Sequence, residues 1–86
     1  MEKKTKEKVI GVVTHYFGHI SVAIVKLKEV LAKGQKVKFL GHTTDFEQDV
    51  KEMQYDHAEI EGGKKGQEVG IKVKKPVREG DKVLLP

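Results

Sequence analysis

A four-residue pattern occurs three times in the chain, as Gly34-Gln35-Lys36-Val37, Gly66-Gln67-Glu68-Val69 and Gly80-Asp81-Lys82-Val83. In each copy a glycine supplies a turn conformation, a polar residue follows, and a β-branched residue opens an extended run. The chain therefore reads as a series of turn-then-strand units. The last two copies frame Gly66 to Leu85, which reads as two strands with a turn between them. Val69, Ile71 and Val73 share one face and Gly70, Lys72 and Lys74 the other. Pro76 ends the first of these strands, and Gly80-Asp81 starts the second, Lys82 to Leu85.

Eighty-six residues suffice for one small domain with one core. Hydrophobic residues make up 37% and charged residues 35%, so a compact core carries a heavily charged surface. No apolar run reaches membrane-spanning length. Residues 1–8 are rich in charge and lack the apolar stretch of an export leader. They read as a flexible N-terminal arm ahead of a single domain over residues 9–86, and a cytoplasmic setting is expected. The chain has no cysteine, which excludes disulfides and Cys-based zinc sites or nucleophiles. Asparagine is also absent and Lys and Glu are abundant, which matches the compositional trend of hyperthermophile proteins.

Lys8 to Phe17 is the first strand, nearly continuous in apolar residues, with Gly11 suited to a bend. Gly18 is the expected hairpin turn, and Ile20 to Leu27 the second strand. Lys28 to Lys33 reads as a loop with Val30 and Leu31 packed inward. Gln35 to Leu40 is the third strand, Val37 and Phe39 inward and Lys36 and Lys38 outward. Phe46 to Tyr55 is the fourth. Phe46, Gln48, Val50 and Glu52 share a parity that Met53 breaks, so a β-bulge between Val50 and Met53 is expected. A helix is the competing reading, because Phe46, Val50 and Met53 fall at i, i+4 and i+7. Ala58 to Lys65 reads as a polar loop. Six short strands with glycine turns predict an all-β fold, a small closed six-stranded antiparallel β-barrel.

Four pieces in order resemble the second domain of translational GTPases, the barrel that follows the nucleotide-binding domain in elongation factor Tu. They are the run Leu31 to Gly41, Val50 to Met53, Gly66 to Ile71, and Arg78 to Val83. The resemblance spans Val9 to Leu85 and implies a Greek-key barrel of the reductase/elongation-factor type. His15-Tyr16-Phe17 and the run Gly41 to Phe46 look more like a stand-alone subfamily, and similar barrels stand at the C-terminus of collagenase-like peptidases. The phosphate-cradling Gly-x4-Gly-Lys-Ser/Thr loop is absent, so GTPase activity is not expected. Elongation factor Tu carries an Arg-Gly-Thr segment near the aminoacylated tRNA end, where this chain has Gly18-His19-Ile20-Ser21.

Charge is unevenly spread. Residues 1–42 carry a net +6, residues 43–61 a net −6 and residues 62–86 a net +4. Small barrels bind RNA through basic faces with aromatic groups for stacking. Lys36 and Lys38 share one outer face and Lys72 and Lys74 another, with Lys26, Lys28, Lys75 and Arg78 extending it. Tyr16 and Phe17 are the stacking candidates, and His42 lies in a neighbouring loop. Cross-strand Lys–Glu pairing is the bland reading of the lysines, and a plug at the barrel end that of Phe17. His15 and His19 flank a turn, but zinc needs three or four converging ligands and nothing brings His42 or His57 to them. Glu47 and Asp49 would share a strand face, which an acidic outer surface explains more simply than catalysis. The expectation is a non-enzymatic barrel without cofactor or metal, binding RNA or a ribonucleoprotein. The alternative is a protein-docking module, such as the accessory barrel of a collagenase-like peptidase.

Overall fold

The alternation of apolar and polar side chains carries into the longer of ten antiparallel strands, seen in a computed structural model that describes residues 8–85. The arm expected over residues 1–8 lies outside that range except for Lys8, which opens the first strand. The strands are β1 (Lys8–Phe17), β2 (Val22–Leu27), β3 (Leu31–Ala32), β4 (Lys36–Leu40), β5 (Asp45–Asp49), β6 (Met53–Tyr55), β7 (Ala58–Glu59), β8 (Gly62–Gly63), β9 (Glu68–Lys72) and β10 (Lys82–Leu85). There is no helix among the described residues.

Eight strands form one sheet in the order β5-β4-β10-β1-β2-β9-β6-β7, and β3 pairs with β8 in a second. The backbone ladder thus runs from one edge, β5, to another, β7, and does not close. This corrects the six-stranded closed barrel. The extra strands are two or three residues long, below the length at which alternation is detectable. Three of them, β3, β7 and β8, arise in the stretches that read as loops, residues 28–33 and 58–65. The fourth strand is two strands separated by a corner at Val50–Glu52. Phe46, Val50 and Met53 all reach the core, as the bulge reading requires, but through that corner.

The C-terminal pair is also rearranged. β9 pairs with β2 and β6, whereas β10 lies between β1 and β4. They are not a hairpin. The connection between them crosses the molecule with Val73 and Val77 buried along the way.

The core is built from the inward faces: Ile10 and Val13 of β1, Ala23, Val25 and Leu27 of β2, Val37 and Phe39 of β4, Val69 and Ile71 of β9. Leu31 is fully buried, but Val30, just ahead of β3, is 66% exposed and does not pack inward. The Phe39 and Phe46 rings stack across β4–β5 with centroids 5.2 Å apart.

Two irregularities shape β1. Its pairing with β10 skips Ile10, between Val9↔Leu84 and Gly11↔Val83. Its pairing with β2 skips Thr14, between Val13↔Val25 and His15↔Ile24. The Thr14 hydroxyl donates to the Ile24 carbonyl at 3.2 Å. An extra residue reverses the inside–outside parity beyond it. Tyr16 therefore turns inward against the core and Phe17 outward. At the hairpin tip Ser21, rather than Gly18, takes the left-handed conformation, with φ of 57°.

Candidate functional site

The lysines are placed by strand register. With Val37 and Phe39 inward, Lys36 and Lys38 must face out, and the partner strand sets Asp49 opposite Lys36 and Glu47 opposite Lys38. The Lys38 ammonium lies 3.8 Å from the Asp45 carboxylate. Lys26 on β2 faces Glu68 of β9. Each of these three basic candidates is therefore met by a carboxylate across the ladder.

Lys36, Lys72 and Lys74 do converge. They line a groove of about 490 Å³ where β5 faces the segment that continues β9, and Lys51 joins them. Glu47, Asp49 and Glu52 line the same groove. Its floor is Gln48, whose Nε2 donates to the Lys72 carbonyl at 2.7 Å. The Gln48 Oε1 accepts from the Lys74 N–H at 2.8 Å. This amide spans the seam that the backbone ladder leaves open. Gln48 was legible as a polar residue on the same parity as Phe46 and Val50, but nothing in the spacing assigns it a role.

The other candidates are dispersed. Arg78 lines a second groove with Lys75, Thr43 and Phe46. Its backbone N–H donates to the buried Asp81 carboxylate at 2.9 Å. The Lys75 ammonium sits 6.0 Å from the Phe46 ring centroid. Tyr16 is half-buried against the core, on the opposite side of β1 from Phe17. Phe17 is 42% exposed, so it does not plug the fold, and its ring stacks on His15 with centroids 6.3 Å apart. His42 is exposed in the separate β4–β5 turn.

His15 faces Glu79, with Nδ1 3.3 Å from Oε2, rather than His19. No three His, Asp or Glu side chains converge around a common metal position among the described residues. Glu47 and Asp49 are exposed at the groove rim, interleaved with lysines. Away from the groove, Lys33, just past β3, reaches β7 and the residues between β7 and β8. Its ammonium lies 2.9 Å from the Glu59 carboxylate and 3.9 Å from that of Glu61. The hydrogen bond and charge of Glu59 raise its pKa above the ordinary lysine value.

No protein-family model matches the chain. An uncharacterized protease of Methanocaldococcus jannaschii is 42% identical over 77 residues, which are 88% of this chain and 19% of that protein. The chain thus spans about a fifth of the curated relative it matches. Two crystal structures of the C-terminal domain of a Geobacillus thermoleovorans protein named for the U32 peptidases share its fold. One, a selenomethionine variant, has a TM-score of 0.84 at 23% identity, covering 88% of this chain and 96% of that one. The other has a TM-score of 0.82 at 25% identity, covering 94% and 93%. The collagenase-like peptidase side of the sequence resemblance fits these likenesses. They lend no support to the translation-factor side.

Proposed function

We propose that the chain is a non-catalytic accessory domain of the kind found at the C-terminus of U32 peptidase-like proteins, and that it acts by binding polypeptide. The observation that carries this reading is the likeness to such a domain over 96% of its length, together with 42% identity to part of a protease relative. The geometry agrees with it. The groove is lined by both signs of charge around a central amide, which suits polypeptide backbone and mixed side chains. RNA binding is the weaker reading, because phosphate recognition needs a field of one sign and here lysines face Asp49, Glu47 and Glu68 across the strands.

The test uses the M. jannaschii relative with and without the matching 77 residues, assayed on protein and peptide substrates. Excision is expected to raise KM at nearly constant kcat, the signature of lost binding rather than lost chemistry. The 86-residue chain alone is expected to hydrolyse nothing and to show no saturable binding of labelled tRNA at low salt. Turnover by the isolated chain, or excision without effect on KM, would sink the proposal.

A further inference from the structure

The β6–β9 register ends at Met53↔Ile71, with the Lys72 N–H still reaching the Glu52 carbonyl at 3.3 Å. Just beyond, the Lys72 carbonyl and the Lys74 N–H both turn to the Gln48 side chain. In a parallel ladder, a residue of one strand donates its N–H to the carbonyl of residue i−1 and accepts from the N–H of residue i+1 on its neighbour. The Gln48 carboxamide makes that same pair of bonds around Val73. A side-chain amide stands where the N–H and C=O of one residue of an added strand would stand.

We propose that this edge is a strand-addition site for an extended polypeptide segment, with Gln48 as a built-in occupant that the ligand backbone displaces. The inference rests on the reading of the domain as a polypeptide binder and gives that reading a place. Three observations converge on it. The bonding pattern around Val73 is that of a missing strand. The 490 Å³ groove lies over the same residues, within the size range of ligand sites. The sheet order ends at β5, so the strand across the groove has one edge outside the ladder. Exchange of the carboxamide for the N–H and C=O of one ligand residue conserves the hydrogen bonds, so displacement is cheap. Both Gln48 bonds are exposed rather than locked in the core. The lining supplies four lysines and three carboxylates, which favours a segment that alternates apolar residues with side chains of both signs.

The probe is a blocked eight-residue peptide alternating valine with lysine and glutamate, titrated into the ¹⁵N-labelled protein. The readouts are the Gln48 side-chain NH₂ pair and the Lys74 backbone amide. Both are expected to shift saturably, the former toward the position of a free glutamine. Gln48→Ala vacates the edge and is expected to tighten binding at least about fivefold, by removing the internal competitor. Should that variant fail to fold, Gln48→Glu keeps the acceptor for Lys74, loses the donor to Lys72, and is expected to tighten binding in the same direction. Lys74→Pro removes the N–H and is expected to abolish the saturable shift of the Gln48 NH₂ pair. Unshifted Lys74 at millimolar peptide, or equal affinity in the vacated variant, overturns the site. If those results come with a relative that still loses KM on excision, the site falls while the accessory role stands.

Discussion

At Gly41 the β4–β5 turn passes against a second turn nearly forty residues later in the chain. A Cβ built on Gly41 would run into the Asp81 carboxylate. That carboxylate is 5% exposed and holds the Arg78 N–H, so it has no room to retreat. The Gly41 N–H donates to the Thr44 carbonyl at 2.7 Å, which closes its own turn at the same place. Gly41→Ala is therefore expected to cost about 1–3 kcal/mol by urea unfolding, the range for overpacking a filled site. Asp81→Ala is expected to cost about 1–3 kcal/mol by orphaning the Arg78 N–H. The double variant should cost less than the sum, because the second change removes the obstacle to the first. Additive costs would show that the two turns are not in contact. Both turns were legible from Gly41-His42-Thr43-Thr44 and Gly80-Asp81 as local chemistry. Their meeting was not, because turn composition holds no information about contacts distant in sequence.

Among the elements, β1 shows most clearly where pattern reading stops. Its bounds, Lys8–Phe17, follow from its apolar run. Its inside–outside sense at the tip does not, because the skipped Thr14 is invisible in the alternation. Tyr16→Ala is expected to lose about 2–4 kcal/mol, as truncation of a large side chain packed on the core does. Phe17→Ala should stay under about 1 kcal/mol, as most surface changes do. Equal costs would mean that the parity does not reverse. The two-residue pair β3–β8 was unreadable for a different reason: alternation needs more residues than it contains. Lys33, just past β3, is held by Glu59 of β7, and its raised pKa has a definite sign. A lysine held more basic in the folded state stabilises below its unfolded pKa, and loses that contribution as pH rises through the folded one. The stability gap between the wild type and Lys33→Met should be level through neutral pH and close above the ordinary lysine range. It should also shrink in high salt, since the pair is partly exposed. A gap that persists at strongly alkaline pH would assign it to the packing of the Lys33 stem instead.

For the whole molecule, topology is what the one-dimensional pattern could not supply. Strand faces follow from period-two alternation, and most of the core was legible in that way. Which strands lie side by side depends on long connections such as the one from Val73 to Asp81, and alternation is silent about those. The same limit hid the groove, since Lys36 and Lys72 meet only once β5 and the end of β9 are brought together. One consequence of the topology is that β10 is the central splice between β1 and β4, and Lys8 is the register partner of Leu85. The ends of the described chain are therefore neighbours in the sheet, the arrangement in which circular permutation succeeds. The β6–β7 turn is the place to open the chain. Asp56 and His57 both have left-handed φ, 54° and 66°, as in a two-residue type I′ turn, and β7 is an edge strand of two residues. A permutant that joins Leu85 to Lys8 by a short glycine-serine linker and opens between Asp56 and His57 is expected to fold. Its ¹⁵N spectrum should be dispersed and its stability should fall by no more than about 1–2 kcal/mol, because the new ends cross few contacts. The matched control opens between Lys38 and Phe39, inside β4 and opposite both Val83 and Phe46, and is expected to be unfolded. If the first permutant is unfolded as well, β10 does not lie between β1 and β4 in solution, and the sheet order is wrong. If both fold, the β4–β10 ladder is not the part of the sheet that holds the two halves together.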